Sequence, residues 1–177
     1  MIQEYSKYKV LKVFLNSPTH NFKVREISRL IGLAPTSTKL HLDALEKSGL
    51  VKKVKEKNYE LYLYQANREN PKFSFWQQQA AIFDLHYSGL IEYLWDQLSP
   101  EVIILYGSHA KGEAIESSDI DLFIIGKEKP INIEKYEKLL NKKPHLEFAK
   151  EFDRLPKELK NNLINGKILR GYIKIFK

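Results

Sequence analysis

No cysteine occurs in the chain. Disulfides, thiolate metal centres and cysteine nucleophiles are therefore excluded. The five histidines, His20, His41, His86, His109 and His145, are scattered, with no close pair at metal-ligand spacing. No run approaches the roughly 18 apolar residues that span a membrane, and the N-terminal end lacks a signal-peptide pattern. The expectation is a cytoplasmic protein with no membrane partner.

What is present bounds the rest. Hydrophobic residues make up 43% and charged residues 29% of the 177 positions, enough for a packed core in one domain or two small ones. The net charge of +7 is uneven: residues 1–66 hold 12 Lys/Arg against 6 Asp/Glu, residues 67–99 hold 2 against 4, and residues 100–177 hold 15 against 12. A positive excess at the N-terminal end suits a polyanionic partner.

Residues 1–66 read as three helices and a hairpin. Tyr8, Val10, Leu11, Phe14 and Leu15 recur at helical spacing until Pro18, and Val24, Ile27, Leu30 and Ile31 repeat the period until Gly32. Pro35 sits at a first helical position, with Thr38, Leu42 and Leu45 inward and Gly49 as a stop. Tyr59, Leu61 and Leu63 then alternate with Glu60, Tyr62 and Tyr64 at strand period, after a Lys/Glu run and Asn58 that fit a turn. The order is that of a winged helix-turn-helix, whose second motif helix enters the major groove. Thr36, Ser37, Lys39, Leu40 and His41 would face the bases there, while Lys52, Lys53, Lys55 and Lys57 would meet phosphates. The stretch "APTSTKLHLDALEKSGLV" resembles winged-helix regulators of the ArsR/MarR type, with Ala34 where an N-capping Ser is usual. The resemblance implies double-stranded DNA as a partner; the competing reading is a winged helix used for protein contacts.

Residues 67–99 read as a linker around Pro71 followed by helix. Trp76, Ala80, Phe83, Tyr87, Leu90 and Leu94 form a heptad-like seam with Gly89 as a bend. Such a seam either pairs two chains as a homodimer or packs on the chain's own flanking domains.

Residues 100–177 alternate strands and helices, so the fold class expected for the whole is α+β, with an α/β sheet domain at the C-terminal end. "EVIILY" is an apolar strand ending at Gly107-Ser108, and "DIDLFIIG" is a second. A helix over "NIEKYEKLLNKK", a third strand in "HLEFA", a helix from Pro156 to near Gly166 and an edge strand in "GYIKIF" complete the pattern. Asp119 and Asp121, two apart in a strand, point to one face. Paired carboxylates repel unless a cation sits between them, and Mg²⁺ (or Mn²⁺) takes such ligands together with phosphate oxygens. A Gly-Ser turn beside them lets backbone N–H groups and a hydroxyl approach a phosphate.

The joint pattern in "YGSHAKGEAIESSDIDLFI", with ten residues (109–118) between Ser108 and Asp119, resembles the polymerase-beta-like nucleotidyltransferase superfamily. Within it the minimal nucleotidyltransferase branch is the most similar. The resemblance implies transfer of a nucleoside monophosphate from an NTP, ATP by expectation, to an acceptor. It assigns nucleotide binding to Gly107, Ser108 and Lys111, and the metal to Asp119 and Asp121. Glu147 in "HLEFA" is the best match for the family's third carboxylate, though Asp is commoner there. Lys111 stands where many relatives carry Arg, keeping charge without bidentate geometry. His109 is expected as a turn residue near the mouth of the site. Three readings follow: a transferase delivered or regulated by DNA, a regulator whose second domain senses a nucleotide without turnover, and an antitoxin-like partner of a helical toxin that serves as a protein acceptor.

Overall fold

The structure, a computed structural model, describes residues 5–55 and 62–174. The chain divides into two compact units, residues 1–77 and 78–177.

The first unit holds α1 (Ser6–Asn16), α2 (Val24–Ile31), α3 (Pro35–Lys47), the strands β1 (Val51–Lys55) and β2 (Tyr62–Ala66), and the start of α4 (Pro71–Tyr87). Its core is made by most of the residues the helical period selects, Val10, Leu11, Phe14, Leu15, Ile27, Leu42 and Leu45, all buried, whereas Leu30 of the α2 run is exposed and Val24 and Ile31 are half-buried. Phe14 and Phe22 meet edge to face at 5.4 Å. Gly32 ends α2 in the left-handed region (φ 64°), a conformation side chains resist. No side chain caps α3 at Ala34. Instead Thr38, fully buried, donates back to the Ala34 carbonyl at 3.0 Å and accepts from Ser28 of α2 at 3.1 Å, joining the two helices through a satisfied polar pair. β1 and β2 pair antiparallel from Val51↔Ala66 to Lys55↔Tyr62. Phe22 adds a bridge to Tyr64, with both backbone bonds at 2.8 Å. Lys57, the expected turn residue Asn58, and Tyr59, Glu60 and Leu61 of the expected strand lie outside the described residues.

The second unit holds the end of α4, then α5 (Leu90–Leu98), β3 (Val102–Leu105), α6 (Gly107–Lys111), β4 (Ile120–Ile125), α7 (Glu134–Leu140), β5 (Pro144–Ala149), a 3-10 turn at Phe152–Arg154, α8 (Lys157–Ile164) and β6 (Lys167–Gly171). The sheet order is β5-β4-β3-β6. β3 runs antiparallel to both β4 and β6, while β4 and β5 are parallel, with α7 in the crossover between them.

Alternation across the pleat sorts the strand residues. Ile103, Leu105, Ile120, Leu122 and Ile124 meet Leu90, Ile91, Leu94 and Leu98 of α5, with Tyr136 and Leu140 of α7 packed against them. Val102, Ile104, Phe123 and Ile125 meet Phe152 and Leu163 on the other face. Both faces of β3 and β4 are thus covered, which is why these strands are continuous apolar runs.

Two sequence expectations shift. Gly89 takes φ 79° and separates α4 from α5, so the seam is broken in phase: Leu90 and Leu94 turn into the sheet core, while Tyr87 is 61% exposed and Phe83 stacks on it at 5.7 Å. The last strand is Lys167–Gly171, earlier than "GYIKIF", because β3 pairs with Lys167, Ile168, Arg170 and Gly171. Among the described residues no helix is long and apolar enough to cross a membrane.

Candidate active site

The site builds from the point where β3 gives way to α6. The antiparallel ladder continues past Leu105 by a bond from the Tyr106 N–H to the Asp121 carbonyl at 3.1 Å. The next residue, Gly107, takes φ 69°, and a Cβ there would collide with the Asp121 carboxylate. Glycine is required twice over, by backbone conformation and by the close approach of an acid. Ser108 follows, half-buried, and Lys111 ends α6 exposed before the left-handed Gly112.

Asp121 is the second residue of β4, and Asp119 lies exposed just before that strand. The parallel register aligns Asp121 with His145 and Phe123 with Glu147. Pleat parity therefore puts Asp121, His145 and Glu147 on one face. His145 Nδ1 is 3.7 Å from Asp121 Oδ1 and 3.9 Å from Glu147 Oε1, ion pairs when the imidazole is protonated. Tyr106 lies beside Glu147, and burial together with that carboxylate raises its hydroxyl well above the ordinary phenol value, so it stays neutral there. Burial also raises Asp121 above the usual carboxylate range; the charges of Asp119 and Glu147 add to the shift, and His145 opposes it. Asp119 and Glu147 are thus close enough for their charges to act on Asp121.

The segment between α6 and Asp119 is tied down from two sides. His109 is buried, not a turn residue at the mouth as its position in the sequence suggested, and its Nε2 lies 3.5 Å from the Ser118 carbonyl. Lys142 reaches the carbonyls of Ile115, Glu116 and Ser118 at 3.3–3.4 Å. Sequence reasoning missed Tyr106, Lys142 and the placement of His145. The signal for His145 was its position two residues before Glu147 in a strand, which puts both on one face.

Among the described residues no group of three or more His, Asp or Glu is already arranged around a metal position. The donor set nevertheless fits a divalent cation by its chemistry. Carboxylate oxygens are the donors such a cation takes, and the charges of Asp119 and Glu147 add to the rise that burial gives Asp121.

The residues expected to face DNA lie on α3 and β1. Thr36 is exposed, and Ser37 and His41 are half-buried. Lys39 binds both oxygens of Asp43, a bond that lowers Asp43 below the usual carboxylate range and raises Lys39. Lys53 is held by Glu46 at 2.7 Å and by Asp43 at 3.5 Å, and is raised chiefly by its bond to Glu46. Lys52 lies 3.9 Å from Glu69, and Lys55 is exposed at the end of β1. Lys57 lies outside the described residues.

An α+β sheet that seats carboxylates against a Gly-Ser turn belongs to the class of nucleotidyl-transfer domains. Residues 89–177, half of the chain, match the family model described as "Polymerase beta, Nucleotidyltransferase", and the chain belongs to that family. No curated protein and no solved structure gives a significant match.

Proposed function

We propose that the second unit transfers a nucleoside monophosphate from an NTP, ATP first among those to test, to an acceptor, and that the first unit is a winged helix that binds double-stranded DNA. The observation that carries the transfer reading is the Asp121 carboxylate pressed against Gly107 with Asp119 and Glu147 in electrostatic reach.

Each residue has a role in this reading. Gly107 leaves room for phosphate beside the acid, and the Ser108 hydroxyl donates to a phosphate oxygen. Lys111 supplies positive charge toward the departing pyrophosphate. Asp119, Asp121 and Glu147 would hold the divalent cation, Mg²⁺ or Mn²⁺. A bound cation would neutralise charge developing on the phosphate oxygens. Glu147, beside Tyr106, would accept the proton of the acceptor hydroxyl as that oxygen attacks the α-phosphorus and pyrophosphate leaves. The order of three helices and a hairpin, with Thr36, Ser37 and His41 on the surface of α3, supports the DNA reading.

The test is label transfer from α-labelled ATP with Mg²⁺ to a panel of protein and nucleic-acid acceptors. Transfer lost in Asp119→Asn and Asp121→Asn is the expected result. Transfer that survives both substitutions overturns the assignment of Asp119 and Asp121; tight nucleotide binding with no transfer to any acceptor overturns catalysis and leaves a nucleotide sensor. For the first unit, fluorescence anisotropy with random duplex at two salt concentrations reads the phosphate contribution. Salt-independent binding defeats the DNA reading.

A further inference from the structure

We propose that Gln78 of α4 is a positioning residue for the triphosphate: its amide holds the short helix α6, and so sets Ser108 and Lys111 for the outer phosphates. This rests on the reading of Gly107, Ser108 and Lys111 as the nucleotide-binding turn. Gln78 belongs to the second unit, 32 residues before the group it holds, and it precedes the residues that match the family.

α6 needs a hold from outside. It has five residues, Gly107–Lys111, and helices shorter than roughly 12–15 residues are marginal on their own hydrogen bonds. The last four carbonyls of any helix also lack partners within it. In α6 the following backbone serves two of them: the Ser108 carbonyl accepts from the Glu113 N–H at 2.9 Å, and the His109 carbonyl from the Gly112 N–H at 3.3 Å. The next carbonyl, that of Ala110, accepts from Gln78 Nε2. The donor comes from a separate, longer helix, so it ties the turn to a frame that does not depend on the turn itself.

Other contacts fix α6 less well in direction. Ala110 is buried in the core shared by α5 and the sheet, but a methyl group has little shape with which to set a rotation. His109 Nε2 lies 3.5 Å from the Ser118 carbonyl, at the limit of a hydrogen bond. An amide bond is directional, and Gln78 is half-buried, where water competes less for it. The Ala110 carbonyl stands in the chain between Ser108 and Lys111, so a hold on it limits how far either can turn away. Both residues are assigned to phosphate, so a loosened α6 should weaken the grip on a triphosphate more than the grip on a monophosphate.

The experiment titrates the full chain, with Mg²⁺ present, with a nonhydrolysable ATP analogue and separately with AMP. Gln78→Met keeps the length of the side chain and removes the donor without adding charge. Its affinity for the triphosphate is expected to fall about tenfold, the worth of one directed hydrogen bond, while its affinity for AMP holds. Hydrogen exchange at the Gly112 and Glu113 amides should quicken in the same protein. Gln78→Glu keeps the shape and sets a carboxylate against the carbonyl; it reads the same ratio should the first variant melt early, and is expected to lose more. An unchanged triphosphate-to-AMP ratio overturns the inference. So does an equal loss for both nucleotides, which marks a bond that serves the fold alone, and so does unchanged exchange at Gly112 and Glu113, whether or not nucleotide binds. A wild type that binds neither nucleotide defeats the transferase reading, and the positioning role with it. Label transfer by the wild type, with the ratio unchanged in the variants, defeats the role of Gln78 and leaves the transferase.

Discussion

On α3 and β1 of the first unit charges of opposite sign are set against one another, and around Asp121 in the second charges of one sign are set together. Lys39 and Lys53 meet Asp43 and Glu46, and Lys52 meets Glu69. Asp121 meets Asp119 and Glu147, with only His145 opposing. Paired surface charges neutralise each other and leave little free charge for a partner. Gathered like charges store an electrostatic cost that a ligand can relieve. The difference ranks the two functional readings: the carboxylates around Asp121 gather charge of one sign, as the proposed cation site needs, whereas Lys39, Lys52 and Lys53 already have counter-charges within the chain.

The sharpest way to break the comparison is Asp121→Asn. Transfer is expected to fall about 10²–10³-fold, the effect of removing one electrostatic group from a transition state. Stability should move the other way. A carboxyl whose folded value is raised destabilises the fold above that value, and the penalty disappears as pH falls below its unfolded value. Asp121→Asn should therefore melt at or above the wild-type temperature at neutral pH, with the gain shrinking in acid. An active site carries this signature; a structural aspartate would lose stability on substitution.

Gly107→Ala tests the same face from the backbone side. The left-handed φ costs about 1–2 kcal/mol for a residue with a Cβ, read by urea denaturation. The methyl also displaces Asp121, and misplacement of a reacting group costs about a hundredfold in transfer. Loss of stability with unchanged transfer would detach Gly107 from the site.

Lys142→Ala is expected to be milder. It releases three carbonyls of the segment that presents Asp119 and costs about 1 kcal/mol, the bonds being long and partly exposed. Hydrogen exchange at residues 115–118 should quicken, and Lys142→Arg should restore much of the protection. Unchanged exchange would show that the segment is held by its other bonds, those of His109 and of the Ile115–Ser118 turn.

How much of this was legible beforehand divides along range. Local signals carried through: the apolar runs became β3 and β4, and "HLEFA" became β5; the antiparallel pairing of β3 with β4 sets Asp121 against Gly107. Long-range pairing did not show. Nothing in the period of residues 144–149 tells which strand they join, so the alignment of His145 with Asp121 had to wait for the sheet. The same holds for Lys142 and Tyr106, whose partners lie 24 to 41 residues away in sequence. The last strand was placed too late because Lys167 and Arg170 disguise a half-exposed edge, where only one side of each residue faces the core. His109 misled for the opposite reason: a polar type in a short turn reads as exposed, but its ring is buried and directed at the Ser118 carbonyl.

The smallest expected effects lie on α3 and β1, where they decide how far the ion pairs quench the lysines. Each phosphate contact contributes about 0.9 to the salt slope of duplex binding. A lysine already paired displaces fewer counterions on binding, because Asp43 or Glu46 has taken their place. Lys55→Ala should therefore lower the slope by nearly the full amount, and Lys53→Ala by clearly less. Asp43→Asn removes a shared acid from both Lys39 and Lys53, and should steepen the slope and tighten binding a few-fold at low salt. Equal slopes for Lys53→Ala and Lys55→Ala would mean that the ion pairs open on binding and the contrast between the units is only apparent. No change in either variant would place any duplex contact elsewhere on the first unit, and the lysines of β1 would then serve the fold of the hairpin alone.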